Sequence, residues 1–348
     1  MDDSGAKKKV IGDRKNNHLK IAVQSAVELV NPFNFDRIQL EHNALPELSL
    51  AEIDSSARFL GKAISMPLLI SSTTGGTPRT HAVLRQLAEV AELNKIALCV
   101  GSQRIALEHP EREKYFRLRN VAPTIPLLAN LGAVQLNYGL GLEHCCRAVD
   151  MLEADGLVLH LNPLQESLQA GGNTDFSGLL GKIENLVRQL PVPLIVKEVG
   201  CGISLPAAKK LLDAGVSAID ISGSGGTSWA LIEAENAETK QSRELASSFT
   251  AWGLPTAALL KEYKDWEYPG KTIIASGGLR NGIDIAKAIA MGASLAGMAL
   301  PFIKAAAAGQ EALVSYMDKL RREFLIAMFC TGSGTLEALA KVNVFTAG

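Results

Sequence analysis

This chain of 348 residues lacks an excess of either charge. It has 35 lysines and arginines against 36 aspartates and glutamates, for a formal net charge of −1. Proteins that bind nucleic acid usually present a basic excess on one face, so we expect no nucleic-acid partner. Hydrophobic residues make up 47% of the chain and charged residues 20%, a composition that buries a large core and is not that of a disordered protein.

Cysteine is scarce, and its spacing fits neither a disulfide framework nor a zinc site. The five cysteines are an odd number without any C-x-x-C pair; they are Cys99, Cys145, Cys146, Cys201 and Cys330. Small secreted scaffolds usually carry an even number of cysteines, and structural zinc sites usually contain such pairs. We expect neither feature in this protein.

Long apolar runs are also missing. The uncharged stretch 288–303 is shorter than the ~20 apolar residues that a membrane-spanning helix needs, and Gly, Ser and Pro interrupt it. The first ten residues, MDDSGAKKKV, carry charges without the apolar segment of a secretory signal. We therefore expect a soluble cytoplasmic protein without a membrane partner.

Eight short apolar runs recur at regular spacing and predict eight buried strands. They do not alternate between apolar and polar residues, which is typical of parallel strands covered on both faces. The runs are 66–73, 97–102, 126–132, 156–162, 193–198, 218–223, 272–277 and 295–300. Segments with helical periodicity lie between them, at 81–93, 142–154, 177–190, 206–215, 281–292 and 308–325.

This alternation predicts an α/β protein built on a (β/α)8 TIM barrel. A doubly wound open sheet is the alternative, but its dinucleotide-binding form needs a G-x-G-x-x-G turn that the sequence does not contain. We expect residues 1–65 to form an extension over the barrel mouth and residues 66–348 to form the barrel. Long loops are expected at 165–176, after strand 4, and at 224–253, after strand 6.

Two glycine-rich segments follow strands 6 and 7 and predict a phosphate site. The first is SGSGGTSW at 222–229, and the second is SGGLRNG at 276–282, which opens a helix. Glycines let backbone N–H groups approach an anion closely, and a helix N-terminus adds a favourable dipole. In this fold, the loops after strands 7 and 8 commonly bind phosphate. A plain turn and a flexible hinge are the alternative interpretations of the two segments.

Polar residues at other strand ends predict a flavin pocket at the same mouth. Strand 1 ends in SSTTGG at 71–76, Ser102 follows strand 2, Asn130 lies in strand 3 and Lys197 ends strand 5. A lysine is rarely buried in an aliphatic strand without a partner. An electron-rich ring would be such a partner, and an ion pair is the alternative. Together with the phosphate site, these residues indicate FMN.

The end of strand 4 and two basic clusters indicate a site for a phosphorylated substrate. The segment HLNPLQE at 160–166 combines an imidazole, amides and a carboxylate, and Glu166 could hold Mg²⁺, which favours oxygen ligands. The basic clusters are RKNNH at 14–18 and SQR at 102–104, and arginine matches phosphate oxygens in two-point contacts. A surface charge at Glu166, a core histidine at His160 and a solvated run at 14–18 are the alternatives.

Six motifs together give the chain a family resemblance over nearly its whole length. They are Arg14-Lys15-x-x-His18, SSTTGG at 71–76, Ser102-Gln103-Arg104, His160-x-Asn162-x-x-Gln165-Glu166, Val196-Lys197-Glu198 and SGGLR at 276–280. At these residues the chain resembles the type 2 isopentenyl-diphosphate isomerases. The first and fourth motifs are specific, because FMN barrels in general do not share them.

The resemblance implies an isomerase of isoprenoid biosynthesis that interconverts isopentenyl and dimethylallyl diphosphate with reduced FMN and Mg²⁺. It implies NADPH as a flavin reductant and assembly as a homotetramer or homo-octamer. Gln165, Lys197 and His160 are the catalytic candidates, and Glu166 is the metal ligand. The expected substrate-binding residues are Arg14, Lys15, His18, Ser102, Gln103, Arg104, Asn162 and Gln165. The expected FMN-binding residues are Ser71, Ser72, Thr73, Thr74, Ser102, Asn130, Lys197, Ser222, Thr227, Gly277, Gly278, Leu279, Arg280, Ala299 and Leu300.

The sequence departs from the family at one visible position and leaves two other functions open. Many members have Met where this chain has Thr73, which changes the expected surroundings of the flavin. An FMN-dependent 2-hydroxy acid oxidase or dehydrogenase is the first alternative, although Arg280 after strand 7 has no histidine near it in sequence. A flavin-binding or phosphate-binding sensor without turnover is the second.

Overall fold

The structure, a computed structural model, describes residues 17, 19–21, 23, 27–28, 35–72, 74–266 and 270–346. Eight parallel strands close into a barrel, which confirms the predicted (β/α)8 fold. We number the barrel strands in chain order. They are β1 (Leu68–Ile70), β2 (Ala97–Cys99), β3 (Leu127–Gly132), β4 (Gly156–Leu161), β5 (Leu194–Glu198), β6 (Ala218–Asp220), β7 (Thr272–Ser276) and β8 (Leu295–Met298).

Helices surround the barrel and cover the outer faces of the strands. Their ends carry the expected caps: Thr77 and Thr80 form a capping box at one helix start, and the Asn281 side chain accepts from Asp284 N–H at another. The described helices are α1 (Pro78–Leu93), α2 (Arg104–Glu108), α3 (Leu142–Leu152), α4 (Pro163–Leu168), α5 (Leu179–Gln189), α6 (Leu205–Asp213), α7 (Trp229–Asn236), α8 (Lys240–Ser247), α9 (Thr256–Lys264), α10 (Gly282–Ala290), α11 (Leu300–Ala308), α12 (Gln310–Cys330) and α13 (Leu336–Leu339). Short 3-10 helices lie at Phe35–Arg37, Leu50–Glu52, Pro110–Tyr115 and Ala133–Asn137.

The interior of the barrel has an apolar lower part and a polar upper part. Because side chains alternate along a strand, the residue two positions after an inward-facing residue also faces inward. The apolar part is one buried cluster with a residue from each strand: Leu69, Ala97, Leu128, Val158, Ile195, Ala218, Ile274 and Leu295. Two positions further along each strand lie the residues that we call the polar ring: Ser71, Cys99, Asn130, His160, Lys197, Asp220, Ser276 and Gly297.

A hairpin closes the end of the barrel at which the strands begin. Its strands, Ala57–Phe59 and Lys62–Ile64, pair antiparallel, and Phe59 and Ile64 pack into the apolar interior cluster. Lys62 fixes the hairpin through an ion pair of 2.7 Å with Asp155, the residue just before β4. A second small sheet pairs Ile38–Leu40 with Val344–Thr346, near the C-terminal end of the described chain.

The described part of residues 1–65 therefore divides between the two ends of the barrel. Val27 and Glu28 contact the segment after β6, through a hydrogen bond from Ser228 N–H to Val27 O and a bridge between Glu28 and Thr227. These two residues lie at the mouth, whereas the hairpin lies at the opposite end. The division into an extension over the mouth and a barrel domain stays a prediction.

The two segments expected as long loops contain helices, so that expectation was wrong in part. After β4, Pro163 starts helix α4, which holds Gln165 and Glu166. After β6, the Ser228 and Thr239 side chains cap the starts of α7 and α8. These caps are short-range signals that the sequence contained. Within the described ranges, the structure contains no helix that is both long and apolar enough to cross a membrane.

Candidate active site

A cavity of about 310 Å³ opens at the carboxyl ends of the barrel strands. Side chains or backbone from all eight strand ends or the loops after them line it, as the predicted location of the site requires. Of the predicted site residues, it brings together Ser71, Ser72, Thr74, Ser102, Arg104, Asn130, His160, Asn162, Gln165, Glu166, Lys197, Ser222, Thr227, Gly277, Gly278, Leu279, Arg280, Ala299 and Leu300.

The segments after β6 and β7 form a tight backbone cradle on one side of this cavity. Gly277 and Gly278 adopt φ values of +94° and +90°, a region that glycine alone enters readily. A Cβ atom on Gly277 would overlap the carbonyl oxygen of Gly223, and one on Gly226 would lie 2.7 Å from Gly278 N. The two segments thus pack backbone against backbone because their contact positions are glycine.

Arg280 ties this cradle together and links it to the N-terminal region. Its guanidinium donates to Gly278 O and Gly225 O, each at 2.9 Å, so it joins the segments after β7 and β6. Glu28 lies 3.9 Å from Arg280 and 3.1 Å from Lys304 Nζ on helix α11. Arg280 therefore holds the backbone of the predicted phosphate site.

Lys197 supplies a buried positive charge to the cavity wall. Its ammonium donates to Glu198 O at 2.5 Å and to Ser222 Oγ at 3.4 Å, and Asp220 Oδ2 lies 3.9 Å away. Asp220 in turn accepts from Ser276 Oγ at 2.5 Å. Burial raises the pKa of the Asp220 carboxyl, and the Lys197 charge and the Ser276 hydrogen bond counter that rise.

A chain of hydrogen bonds orders the part of the polar ring that runs from His160 on β4 to Cys99 on β2. His160 Nδ1 lies 3.1 Å from Asn130 Oδ1, and Asn130 Nδ2 donates to Ser72 Oγ at 3.1 Å. Ser72 Oγ lies 3.0 Å from Cys99 Sγ. Burial raises the pKa of the Cys99 thiol to about 12, so this cysteine stays protonated at physiological pH.

One turn of helix α4 gathers the amides and the carboxylate at the end of β4. Asn162 Nδ2 donates to Gln165 Oε1 at 3.1 Å and to Glu166 Oε1 at 3.0 Å, while Asn173 N–H donates to Glu166 Oε2 at 2.6 Å. Gln165 Nε2 donates to Glu233 Oε1 on helix α7 at 3.3 Å. The pair of short helices thus brings a second buried carboxylate to the site.

Two buried oxygens without a partner belong to residues that line this cavity. Among the described residues, four buried side-chain oxygens have no hydrogen-bond partner, although buried polar atoms are normally paired, and two of the four, Ser71 Oγ and Asn162 Oδ1, are at the cavity. Ser71 and the buried Lys197 suit the polar edge of a flavin, with the glycine cradle for its phosphate. Asn162 Oδ1 and the Glu166 carboxylate are hard oxygen donors that suit Mg²⁺, a cation that often completes its shell with water and substrate phosphate.

Some predicted residues do not join the site or cannot be placed. Gln103 does not line the cavity: its side chain is fully buried, donates to Ala148 O and accepts from Asn130 N–H. In this position the side chain holds the backbone of Asn130, and the expected contact of Gln103 with the substrate stays a prediction. Arg104 lines the cavity while paired with Glu108 at 2.7 Å. The predicted residues Arg14, Lys15, His18 and Thr73 lie outside the described residues.

Sequence reasoning missed several residues of the site and its floor, among them Glu233, Trp229 and Asp220. Glu233 and Trp229 come from helix α7, within the segment taken for a loop, and the capping serine was the signal for that helix. Asp220 is a charged residue inside the apolar run AIDISG, the same signal that pointed to Lys197.

Comparison with known proteins places the chain in a family. The model of the FMN-dependent dehydrogenases matches residues 161–345. The isopentenyl-diphosphate delta-isomerase of Nostoc sp. (strain PCC 7120 / SAG 25.82 / UTEX 2576) is 48% identical over 94% of this chain and 93% of its own length. The enzymes of that name from Pseudescherichia vulneris and Cronobacter sakazakii (strain ATCC BAA-894) are 46% and 45% identical over 95% and 98% of this chain, and over 96% and 99% of their own lengths.

The chain belongs to the isopentenyl-diphosphate delta-isomerase family of enzymes. This confirms the resemblance that the six sequence motifs indicated, and the match to the FMN-dependent dehydrogenase model supports a flavin in the cavity.

Solved structures support the barrel itself. A mandelate oxidase structure is similar with a TM-score of 0.63 at 16% identity, over 97% of this chain and 99% of that chain. A lactate oxidase from Pediococcus acidilactici gives 0.63 at 14% identity, over 95% of this chain and 87% of that chain. At such low identity the likeness shows the fold alone.

Proposed function

We propose that this enzyme interconverts isopentenyl diphosphate and dimethylallyl diphosphate, with reduced FMN and Mg²⁺ bound at the barrel mouth. The proposal rests on one observation: two sets of residues, each suited to a different ligand, line the same cavity. Lys197 and the glycine cradle suit a flavin, and the Asn162–Gln165–Glu166 turn suits a metal-bound diphosphate. The names of the close relatives, over nearly the full length of the chain, support this substrate.

The reaction moves a double bond by one carbon, so a proton is added at one carbon and removed from another. When bound, reduced FMN would supply the group that donates and accepts this proton. The residues of the chain position the reactants, as proteins generally do for cofactors. The Lys197 ammonium stabilises negative charge at the wall, and Gln165, held between Asn162 and Glu233, orients the alkene.

Binding of the diphosphate gives the remaining residues their roles. Glu166 and Asn162 would hold Mg²⁺ through their oxygens, and Arg104 would contact the diphosphate at the rim. Binding energy from this remote, charged group would hold the short alkene in place for reaction. Apolar side chains in the cavity wall, among them Ile105, Ile232 and Leu300, exclude water from the carbons that react.

The deciding experiment is an anaerobic assay of the purified protein with isopentenyl diphosphate, Mg²⁺ and FMN. We expect product only when dithionite or NADPH is present, with the flavin still reduced at the end because the reaction has no net redox change. Absence of product with fully reduced, protein-bound FMN would refute the proposed activity.

The same preparation tests an FMN-dependent 2-hydroxy acid oxidase or dehydrogenase. That chemistry needs a base, usually histidine, and an arginine for the substrate carboxylate. Among the described residues, His160 is the one histidine that lines the cavity, and it lies against Asn130, while Arg280 is engaged by backbone carbonyls. We therefore expect lactate and glycolate to leave the oxidised flavin unreduced.

NADPH as the reductant, a homotetramer or homo-octamer, and a cytoplasmic location accompany this proposal as predictions. Reduction of the bound flavin by NADPH under anaerobic conditions tests the first. Sedimentation analysis of the FMN-loaded protein tests the second.

A further inference from the structure

The polar ring contains one side-chain ammonium and one carboxylate, and they are neighbours. Lys197 on β5 and Asp220 on β6 stand opposite each other in the strand register, and their charged atoms are 3.9 Å apart. Lys197 is 7% exposed and Asp220 only 1%. Such burial makes each charge costly unless the other compensates it.

Asp220 lies under the site rather than in it. Lys197 lines the cavity, whereas Asp220 does not. The Ser276 hydroxyl of β7 holds one carboxylate oxygen at 2.5 Å, and the other oxygen is the one nearer to Lys197. The carboxylate is therefore fixed from one side and directed at the ammonium on the other.

The other groups around Lys197 do not replace this carboxylate. Its two hydrogen-bond acceptors, Glu198 O and Ser222 Oγ, are neutral. The side chain of Glu198 is turned away, because its Oε2 accepts backbone N–H groups of residues 199–202. His160 faces Lys197 from the register position on β4, and the buried Cys99 thiol on β2 stays protonated.

We propose that Asp220 is a positioning residue that keeps the proton on Lys197 Nζ, with Ser276 fixing its carboxylate. The inference rests on the proposed function, in which the Lys197 ammonium stabilises negative charge on the reduced flavin. Without Asp220, a buried ammonium would keep only neutral partners and would lose its proton at a lower pH, since burial disfavours the charged form of a lysine. The reduced flavin would then lose its stabilising charge.

The test compares Asp220→Asn with the wild-type protein, both loaded with FMN. Asparagine keeps the shape of the side chain and removes its charge. The midpoint potential of bound FMN and the anaerobic isomerase rate are measured from pH 8 to pH 10. This range begins above the interval of about pH 5 to 8 in which imidazoles ordinarily titrate.

We expect the potential of the variant to fall progressively below that of wild type as pH rises, because a neutral lysine stabilises anionic reduced flavin less well. Over the same range the isomerase rate of the variant should fall about tenfold more per pH unit than the rate of wild type. This is the slope expected when a single proton is lost. A difference in potential that is constant over the range, or absent, would overturn the inference.

Two further variants separate this role from structural damage. Asp155→Asn removes a carboxylate that pairs with Lys62 and Arg119 at the opposite end of the barrel, and its potential should follow wild type at every pH. Ser276→Ala frees the Asp220 carboxylate and should reproduce the pH-dependent gap in smaller measure, which provides a test should Asp220→Asn not fold. A wild-type protein that binds FMN but does not isomerise would refute the proposed function, whereas the potentials would still decide the role of Asp220.

Discussion

Replacing Gly277 with alanine should damage the glycine cradle through both backbone strain and steric overlap. Comparison with a control glycine separates the two effects. Gly277 has a φ of +94°, and its added Cβ would overlap the carbonyl oxygen of Gly223. Gly139 offers a matched control, because it has a φ of +95° and no atom within 4 Å of its added Cβ. The two substitutions add the same atom to nearly the same backbone conformation, and only one of them meets a neighbour.

The expected losses of stability follow from these two terms. A non-glycine residue in this region costs about 1–3 kcal/mol, which is the whole expected effect at Gly139. At Gly277 the overlap with rigid backbone adds about 1–3 kcal/mol of overpacking, for a total of about 2–6 kcal/mol. At about 2 °C per kcal/mol for a large chain, the melting temperature should fall by about 2–6 °C in Gly139→Ala and by about 4–12 °C in Gly277→Ala.

The assay combines thermal melts at one scan rate with a titration of FMN into the flavin-free proteins. Gly139→Ala should bind FMN as wild type does, because Gly139 does not line the cavity. Gly277→Ala should bind FMN far more weakly even well below its melting temperature, because Gly223 must move out of the cradle. Equal FMN affinity in the two variants would refute the assignment of this cradle to the flavin phosphate.

Three other substitutions test single side chains. Lys197→Met should lower the isomerase rate by about 100-fold or more while FMN-loaded protein still folds, since electrostatic groups of this kind commonly carry such factors; near-normal turnover would contradict its role. Glu166→Gln should raise the Mg²⁺ concentration for half-maximal rate by about tenfold or more, whereas the exposed Glu337→Gln should leave it unchanged. Burial opposes ionisation of Glu92, but hydrogen bonds from Lys95, Thr124 and the Ile125 backbone outweigh it and lower its pKa to about 2. This group therefore stabilises the fold above about pH 4.5 and loses that effect as pH falls toward 2. The wild-type protein should lose stability between pH 6 and pH 3, and Glu92→Gln should make that loss smaller by about 1 kcal/mol, as measured by thermal melts at the two pH values.

The fold was predictable because its strands are buried on both faces. A strand such as Leu194–Glu198 is a continuous apolar run until its last residues, and such runs stand out in a sequence. The six helices expected from periodicity also correspond to observed helices, although the one expected at 308–325 extends over Gln310–Cys330. Each of these features depends on residues that are neighbours in the sequence, so the sequence alone predicts it.

A sequence motif identifies cavity-lining residues only where the side chains of the motif also point into the cavity. Ser102 and Arg104 line the cavity, yet Gln103 between them turns into the protein and binds Asn130 and Ala148. The spacing of a turn does not reveal this direction. The contact between Gln165 and Glu233 spans 68 positions and depends on how two short helices pack, which no local pattern encodes.

The hairpin that closes the lower end of the barrel determines how ligands enter and leave the cavity. With Phe59 and Ile64 packed into the apolar interior, the described chain leaves the mouth as the route to the cavity. Flavin, substrate, product and the proposed metal must then share one entrance. A product molecule that has not yet left blocks the next substrate, so product inhibition should be competitive, and the enzyme has to release each diphosphate by the same path along which it was captured.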